Sequence, residues 1–325
     1  MEKRLGKVSI INKVLDIRWI YSLLGLIVIF VGSSFLSTAF MTSSNMITIL
    51  RQASILLMLS LGLTVVVLTG NIDLSVNSCA ALTGCICAKL LVQELPVFAA
   101  ILVALMVGVI AGALNGFLVG VLRLPSFIAT YGTNMVFSGL ATIVMNGGVI
   151  YDLPKGFTNL GVGKIGAIPV PIIMVAIACV LFIILLQYTT LGRKIYMYGH
   201  NHMASRYSGV NNLRMLMISY ILCGLTGALG GILMCARLNA ADAGMAETYG
   251  LQIVATVVIG GTSLLGGEGS IFGTIIGAIV LTAITNIMNI LYIDSAWQNL
   301  VVGAVILVMV WIDVFTRTKR MKSSS

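Results

Sequence analysis

Charge is what this sequence has least of. Asp, Glu, Lys and Arg make up 9% of its 325 residues, where an ordinary soluble domain carries roughly a quarter, so there is too little to cover a water-facing surface. A soluble globular class is excluded on that ground. Histidine is nearly absent: His200 and His202 stand alone in a loop. Cys79, Cys85, Cys87, Cys179, Cys223 and Cys235 fall in or beside apolar runs without the paired spacing of a zinc site, so they read as small apolar fillers. No GxxxxGK[ST] pattern is present, and the cluster Gly260, Gly261, Gly266, Gly267 and Gly269 lacks a lysine where a phosphate cradle needs one. HExxH, GxSxG and a carboxylate pair at helical spacing are missing too, which leaves enzymatic chemistry without residues. No cofactor is expected in this chain.

Apolar residues, in contrast, make up 59% of the chain and run in long blocks. A helix rises about 1.5 Å per residue and a bilayer core is about 30 Å thick, so a crossing needs about 20 apolar residues. Barrel strands would alternate apolar and polar over about 10 residues. These runs are longer and apolar all round, and in hydrocarbon a helix satisfies its own backbone. The expected fold is therefore all-α and polytopic, with about ten transmembrane helices. The spacing predicts them near Trp19–Ala39, Ile47–Thr69, Val76–Val92, Val97–Leu122, Ser126–Asn146, Ala167–Tyr188, Met215–Cys235, Leu251–Leu265, Ser270–Leu291 and Ala296–Phe315. The first run lacks a small-residue cleavage site and reads as a retained span rather than a signal peptide.

Lys and Arg collect on the cytoplasmic side of a membrane. Here Lys3, Arg4, Lys7, Lys13 and Arg18 precede the first span, and Arg317, Lys319, Arg320 and Lys322 follow the last. Both termini are expected in the cytoplasm, which requires an even number of spans. The chain then divides into a cytoplasmic segment, 1–18, one membrane domain, 19–315, and a basic tail, 316–325. The loop over 189–214 holds Arg193, Lys194, Arg206 and Arg214 with no acid, and the span count places it inside. The net charge of +9 has the same origin and is no sign of nucleic acid.

Carboxylates and cations sit close to span ends, where they reach headgroups or water. Asp73 alone is placed ambiguously enough to be deep. That scarcity speaks against a proton relay. Gly108, Gly112, Gly116 and Gly120, and again Gly269, Gly273 and Gly277, recur at every fourth residue and are expected as close helix contacts. Asn115, Thr130, Thr133, Asn134, Thr282, Thr285, Asn286 and Asn289 lie on spans, where polar side chains pair between helices or line water.

Three segments together resemble the permease family of ribose-type monosaccharide ABC importers, the branch shared with branched-chain amino-acid permeases. They are Gly70–Val76 (GNIDLSV), Leu191–Gly209 (LGRKIYMYGHNHMASRYSG) and Ala236–Gly277, which opens ARLNAADAG and continues VVIGGTSLLGGEGSIFGTIIG. Asn77 stands where the family usually has a glycine. The resemblance implies a permease domain in a bacterial inner membrane, working with a second copy or paralogue, a separate ABC ATPase that binds the ATP and Mg, and an extracytoplasmic solute-binding protein. It also implies that 189–214 is the coupling loop, with Gly192, Arg193, Gly199, Asn201, Ala204, Arg206 and Gly209 meeting the ATPase. Under that reading the solute is a ribose-like pentose or hexose, and a weak path is expected at Asn71, Asp73, Ser75, Asn115, Thr130 and Asn134. Asp73 is equally placed to cap the helix starting near Val76. Alternatives are a stand-alone ion-coupled or facilitative carrier, an ABC permease for a nucleoside, furanosyl signal or branched-chain amino acid, and a membrane scaffold that recruits a partner without transport.

Overall fold

The computed structural model describes residues 19–305, 307, 308 and 311. The basic N-terminal segment, the basic tail and the far end of the span expected over Ala296–Phe315 lie outside them, and with them the placement of both termini.

The described chain is all-α apart from four two-residue strands. In order it forms α1 (Trp19–Leu36), α2 (Ser43–Leu68), α3 (Val76–Val92), α4 (Val97–Gly120), α5 (Ser126–Met145), β1 (Ile150–Tyr151), α6 (Lys155–Val162), β2 (Lys164–Ile165), β3 (Ile168–Pro169) and α7 (Val170–Ile183). Then follow a π turn (Ile184–Tyr188), α8 (Thr190–His200), α9 (His202–Tyr207), α10 (Asn212–Leu238), β4 (Ala240–Ala241), α11 (Tyr249–Ile259) and α12 (Ile271–Ile290). Residues 295–305 are helical as well.

Local chemistry sets these boundaries. All five prolines fall just before a helix or in its first turn, at Pro96, Pro125, Pro154, Pro169 and Pro171, so none breaks a span. Thr42, Thr189, Asn211 and Ser270 cap α2, α8, α10 and α12 through their side-chain oxygens. Asn146 and Asn239 end α5 and α10 in the left-handed conformation.

Six helices are long and apolar enough to cross a membrane: α2, α4, α5, α7 with its π turn, α10 and α12. Ser22–Leu36, α3 and α11 are apolar but shorter. The expectation of about ten full-length crossings is thus corrected to six among the described residues. The clearest departure is Leu251–Leu265. Its helix stops at Ile259 after 11 residues, about 17 Å of rise against a core of about 30 Å, because Gly261, Gly266 and Gly267 turn the chain at positive φ. The span expected from Ala167 starts instead with the β2–β3 hairpin and turns helical at Val170.

Helices α2 and α10 form the buried centre; 83% of the apolar window of α2 is buried. Around α10 pack α2, α3, α4 and α6, and around α2 pack α7, α10, α11 and α12. Helices α4, α5 and α7 leave broad apolar faces exposed, such as Met106, Ile110, Phe127, Ile143 and Val180, as a membrane-facing surface requires.

The glycine stripes are contact faces. A Cβ at Gly108 or Gly112 would run into α10 backbone at Gly224 or Tyr220, and one at Gly273 or Gly277 into α11 backbone at Gly260 or Thr256. Polar side chains join helices as well. Asn45 and Asn286 exchange amide hydrogen bonds of 2.9 and 3.0 Å between α2 and α12, and the Thr64 and Thr274 hydroxyls meet at 2.8 Å. All six cysteines are buried and unpaired, as fillers would be.

Candidate functional site

The 70–75 segment leaves α2 and runs directly into α3. Asp73 lies at its centre, 3% exposed. Its Oδ1 accepts from the Ser75 amide (2.8 Å) and the Ser75 hydroxyl (2.7 Å), an Asx turn ahead of the helix. The carboxylate therefore acts two residues before the cap position, Ser75, and accepts from no amide of the first turn of α3 itself.

Neighbouring helices close around it. Asn115 of α4 donates to the Ser75 hydroxyl (2.7 Å) and to Asp73 (3.4 Å), and Thr133 of α5 donates to the Asn115 carbonyl (2.7 Å). The Leu74 amide donates to Thr130 of α5 (3.1 Å), and the Tyr220 hydroxyl of α10 donates to the Ile72 carbonyl (3.1 Å). Cys79, Ala111, Gly112, Cys223 and Gly224 wall the cluster, leaving no space for even one water. Four of the six expected path residues, Asp73, Ser75, Asn115 and Thr130, thus form one satisfied and closed polar knot. Asn71 turns away and donates to the Thr69 carbonyl and hydroxyl (3.2 Å each).

In a knot of this kind each partner satisfies another, which holds the backbone of 72–75 against three helices. Asp73→Asn is accordingly expected to lower the unfolding midpoint of the detergent-solubilised protein while leaving the solute KM of whatever protein folds within about twofold. A raised KM at an unchanged midpoint would make Asp73 a solute ligand.

Asn134, the sixth, stands apart. Its side chain borders a half-enclosed cavity of about 180 Å³ with Asn77, Ser78, Ser138, Gly244 and Glu247. None of these five is among the path residues expected from the sequence. Asn77 was noted only as a departure from a glycine; Ser138 sits one helical turn beyond Asn134, a spacing that would have found it; Glu247 comes from a distant loop that no local pattern ties to α5.

At the end of the bundle that carries the basic loop, the three family-like segments meet. Loop 189–214 is mostly helical, α8 followed by α9. A Cβ at Gly199 would strike the Leu68 carbonyl and the Gly267 amide. The Gly267 amide itself donates to the Leu68 carbonyl (2.9 Å), and the Tyr196 hydroxyl donates to the Gly269 carbonyl (2.9 Å). Burial raises that tyrosine's pKa and keeps it a donor. Gly192 is turned inward likewise, against carbonyls of the π turn.

The seven coupling candidates therefore separate. Gly192 and Gly199 are buried and hold α8 to the bundle, while Asn201 caps α9 by accepting from Met203 and Ala204 (2.9 and 3.0 Å). Arg193, Ala204, Arg206 and Gly209 are exposed. Beside them the sequence reading overlooked Met203 and Tyr207, 61% and 85% exposed, one turn apart on α9. Exposed apolar anchors flanked by cations have the make-up of a protein contact.

Among the described residues no group of three His, Cys, Asp or Glu is placed to hold a metal ion.

Comparison with known proteins identifies the family. The family model described as branched-chain amino acid transport system / permease component matches residues 45–310. The ribose import permease protein of Escherichia coli K12 is 38% identical over 299 residues, 90% of this chain and 92% of that protein. Its counterpart in Bacillus subtilis 168 is 39% identical over 292 residues, 89% and 91% of the two chains. The D-allose transport system permease protein of E. coli K12 is 35% identical over 278 residues, 84% of each. No solved structure matches. The chain is a multi-pass bacterial inner-membrane protein, a transporter subunit rather than an ATPase, and it belongs to the permease components of ribose-type ABC importers, the branch that shares its family model with branched-chain amino-acid permeases.

Proposed function

We propose that this permease carries a monosaccharide, a ribose-like pentose or hexose, handed over by an extracytoplasmic binding protein, and that a separate ATPase engaging α8 and α9 drives it. Two permease subunits, identical or paralogous, would flank the path, and ATP and Mg would be held by the ATPase. The sugar follows from the ribose and allose of the relatives' names. The observation that carries the coupling reading is the α8–α9 unit itself: basic and exposed on its outer face, keyed by backbone contact to α2 and the glycine turn on its inner face. A subunit without a motor needs such a surface.

We read this end, and both termini, as cytoplasmic from their Lys and Arg content. Reporter fusions at the two termini and in the 155–165 region would test this; equal labelling of all three from one side would sink it.

The functional test is reconstitution with the ATPase and binding protein. ATP-dependent uptake of a pentose or hexose is expected. Proton-driven uptake by the permease alone would favour the stand-alone carrier instead. Arg206→Glu combined with Tyr207→Ala should cut co-purifying ATPase about tenfold or more at an unchanged unfolding midpoint. Full retention of the ATPase would remove α9 from the contact.

A further inference from the structure

The cavity beside Asn134 is separate from the knot and differs from it in one decisive respect. In the knot every polar atom has a partner, whereas the Asn134 Oδ1 is buried with no hydrogen-bond partner. A shielded acceptor without a donor is costly unless something supplies one. Three distant stretches converge here: Asn77 and Ser78 from the first turn of α3, Asn134 and Ser138 from one face of α5, and Gly244 and Glu247 from the loop after β4. A polar lining of this kind does not face lipid.

The lining also has a chemical bias. It offers two side-chain amides, two serine hydroxyls and a carboxylate, and no Lys or Arg borders it. Such a set both donates to and accepts from hydroxyl groups but gives an anion no cation to pair with. Its volume of about 180 Å³ equals that of about six molecules of liquid water, the scale of one small solute. A free amino acid would leave its carboxylate without a cation, so the chemistry sides with an uncharged polyol.

We propose that this cavity is where the moving solute is recognised within the membrane domain, that its ligand is an uncharged polyhydroxylated molecule of single-ring size, and that Asn134 and Asn77 are the specificity-determining contacts. The proposal rests on the permease reading above. In it, the Asn134 amide turns its shielded Oδ1 toward the cavity to accept from a solute hydroxyl, the Asn77 amide supplies both a donor and an acceptor from the facing helix, and Glu247 at the exposed rim accepts from a second hydroxyl. The knot at Asp73 holds the start of α3, and with it Asn77, in register.

The test uses the complete transporter, permease with ATPase and binding protein, in proteoliposomes with D-ribose, D-allose and leucine as probes. Asn134→Ala and Asn77→Ala are each expected to raise the sugar KM about tenfold with the unfolding midpoint unchanged. Asn134→Ser, which keeps an acceptor, should recover part of the loss. In parallel, Ser138→Cys is labelled with a membrane-impermeant thiol reagent; the six native cysteines are buried. Millimolar sugar should slow that labelling several-fold and leucine should not. Unchanged KM in both alanine variants, or labelling indifferent to sugar, overturns the proposal, and protection by leucine alone overturns its ligand class. If the unmodified transporter moves no sugar yet labelling is still sugar-protected, the site stands and the transport reading falls.

Discussion

Gly199→Ala is expected to reduce the yield of folded permease sharply, and Gly199→Val to abolish it. The reason is the company Gly199 keeps: the Leu68 carbonyl on one side and the Gly267 amide on the other. Both are backbone atoms tied to each other by a 2.9 Å hydrogen bond, so no rotamer change can make room. Overpacking against side chains costs roughly 1–3 kcal/mol, and a site walled by backbone lies at the upper end of that range. The control is Gly132→Ala, on the exposed face of α5 with nothing within 4 Å of an added Cβ; there the better helix former should be neutral or mildly stabilising. Detergent melts followed by size exclusion report both. A Gly199→Ala protein that melts with the unmodified chain would mean that the junction of α8, α2 and the glycine turn is looser than described.

A second large effect is expected at the α4–α10 contact. An added Cβ at Gly112 meets the Tyr220 carbonyl and backbone at Ile221, whereas one turn away a Cβ at Gly116 meets mainly the flexible Met217 side chain. Gly112→Ala should therefore cost about 2–3 kcal/mol and Gly116→Ala under about 1 kcal/mol. The stability loss at Gly112 has a further reach. Asn115 is three residues on, on the same helix, and separating α4 from α10 draws its amide away from Ser75 and Asp73. Gly112→Ala and Asp73→Asn should then be less than additive, since both act on one network. Equal costs at Gly112 and Gly116 in denaturant titrations, or strict additivity with Asp73→Asn, would contradict this account.

Much of the architecture was legible in the residues, and its failures have a common cause. Uniform apolar runs such as Val97–Gly120 declare a membrane helix by themselves, and four-residue glycine spacing declared the contact faces. Periodicity carries no information on where a run of apolar residues stops being helical, which is why Leu251–Leu265 was read as a full crossing although positive φ at Gly261, Gly266 and Gly267 bends it. The polar residues were found individually, but their grouping is a tertiary fact. Asp73, Asn115 and Thr133 look alike to Asn134 in sequence; only the fold separates a closed network from an open lining. Gly199 and Arg206 were likewise grouped as one contact surface. Gly199, in the last turn of α8, is buried against the bundle, whereas Arg206 is exposed on the separate helix α9.

The bond from Gly267 to Leu68 joins the glycine turn to the end of α2 by main chain, directly against Gly199 of α8. Leu68 is the last residue of α2, and the stretch that follows it is laced by Asn115, Thr130 and Tyr220 into three further helices. Under the coupling proposed above, α8 has two routes inward, backbone contact at Gly199 and the Tyr196 hydroxyl, and both lead to the segment that sets the foot of α3 beside the Asn134 cavity.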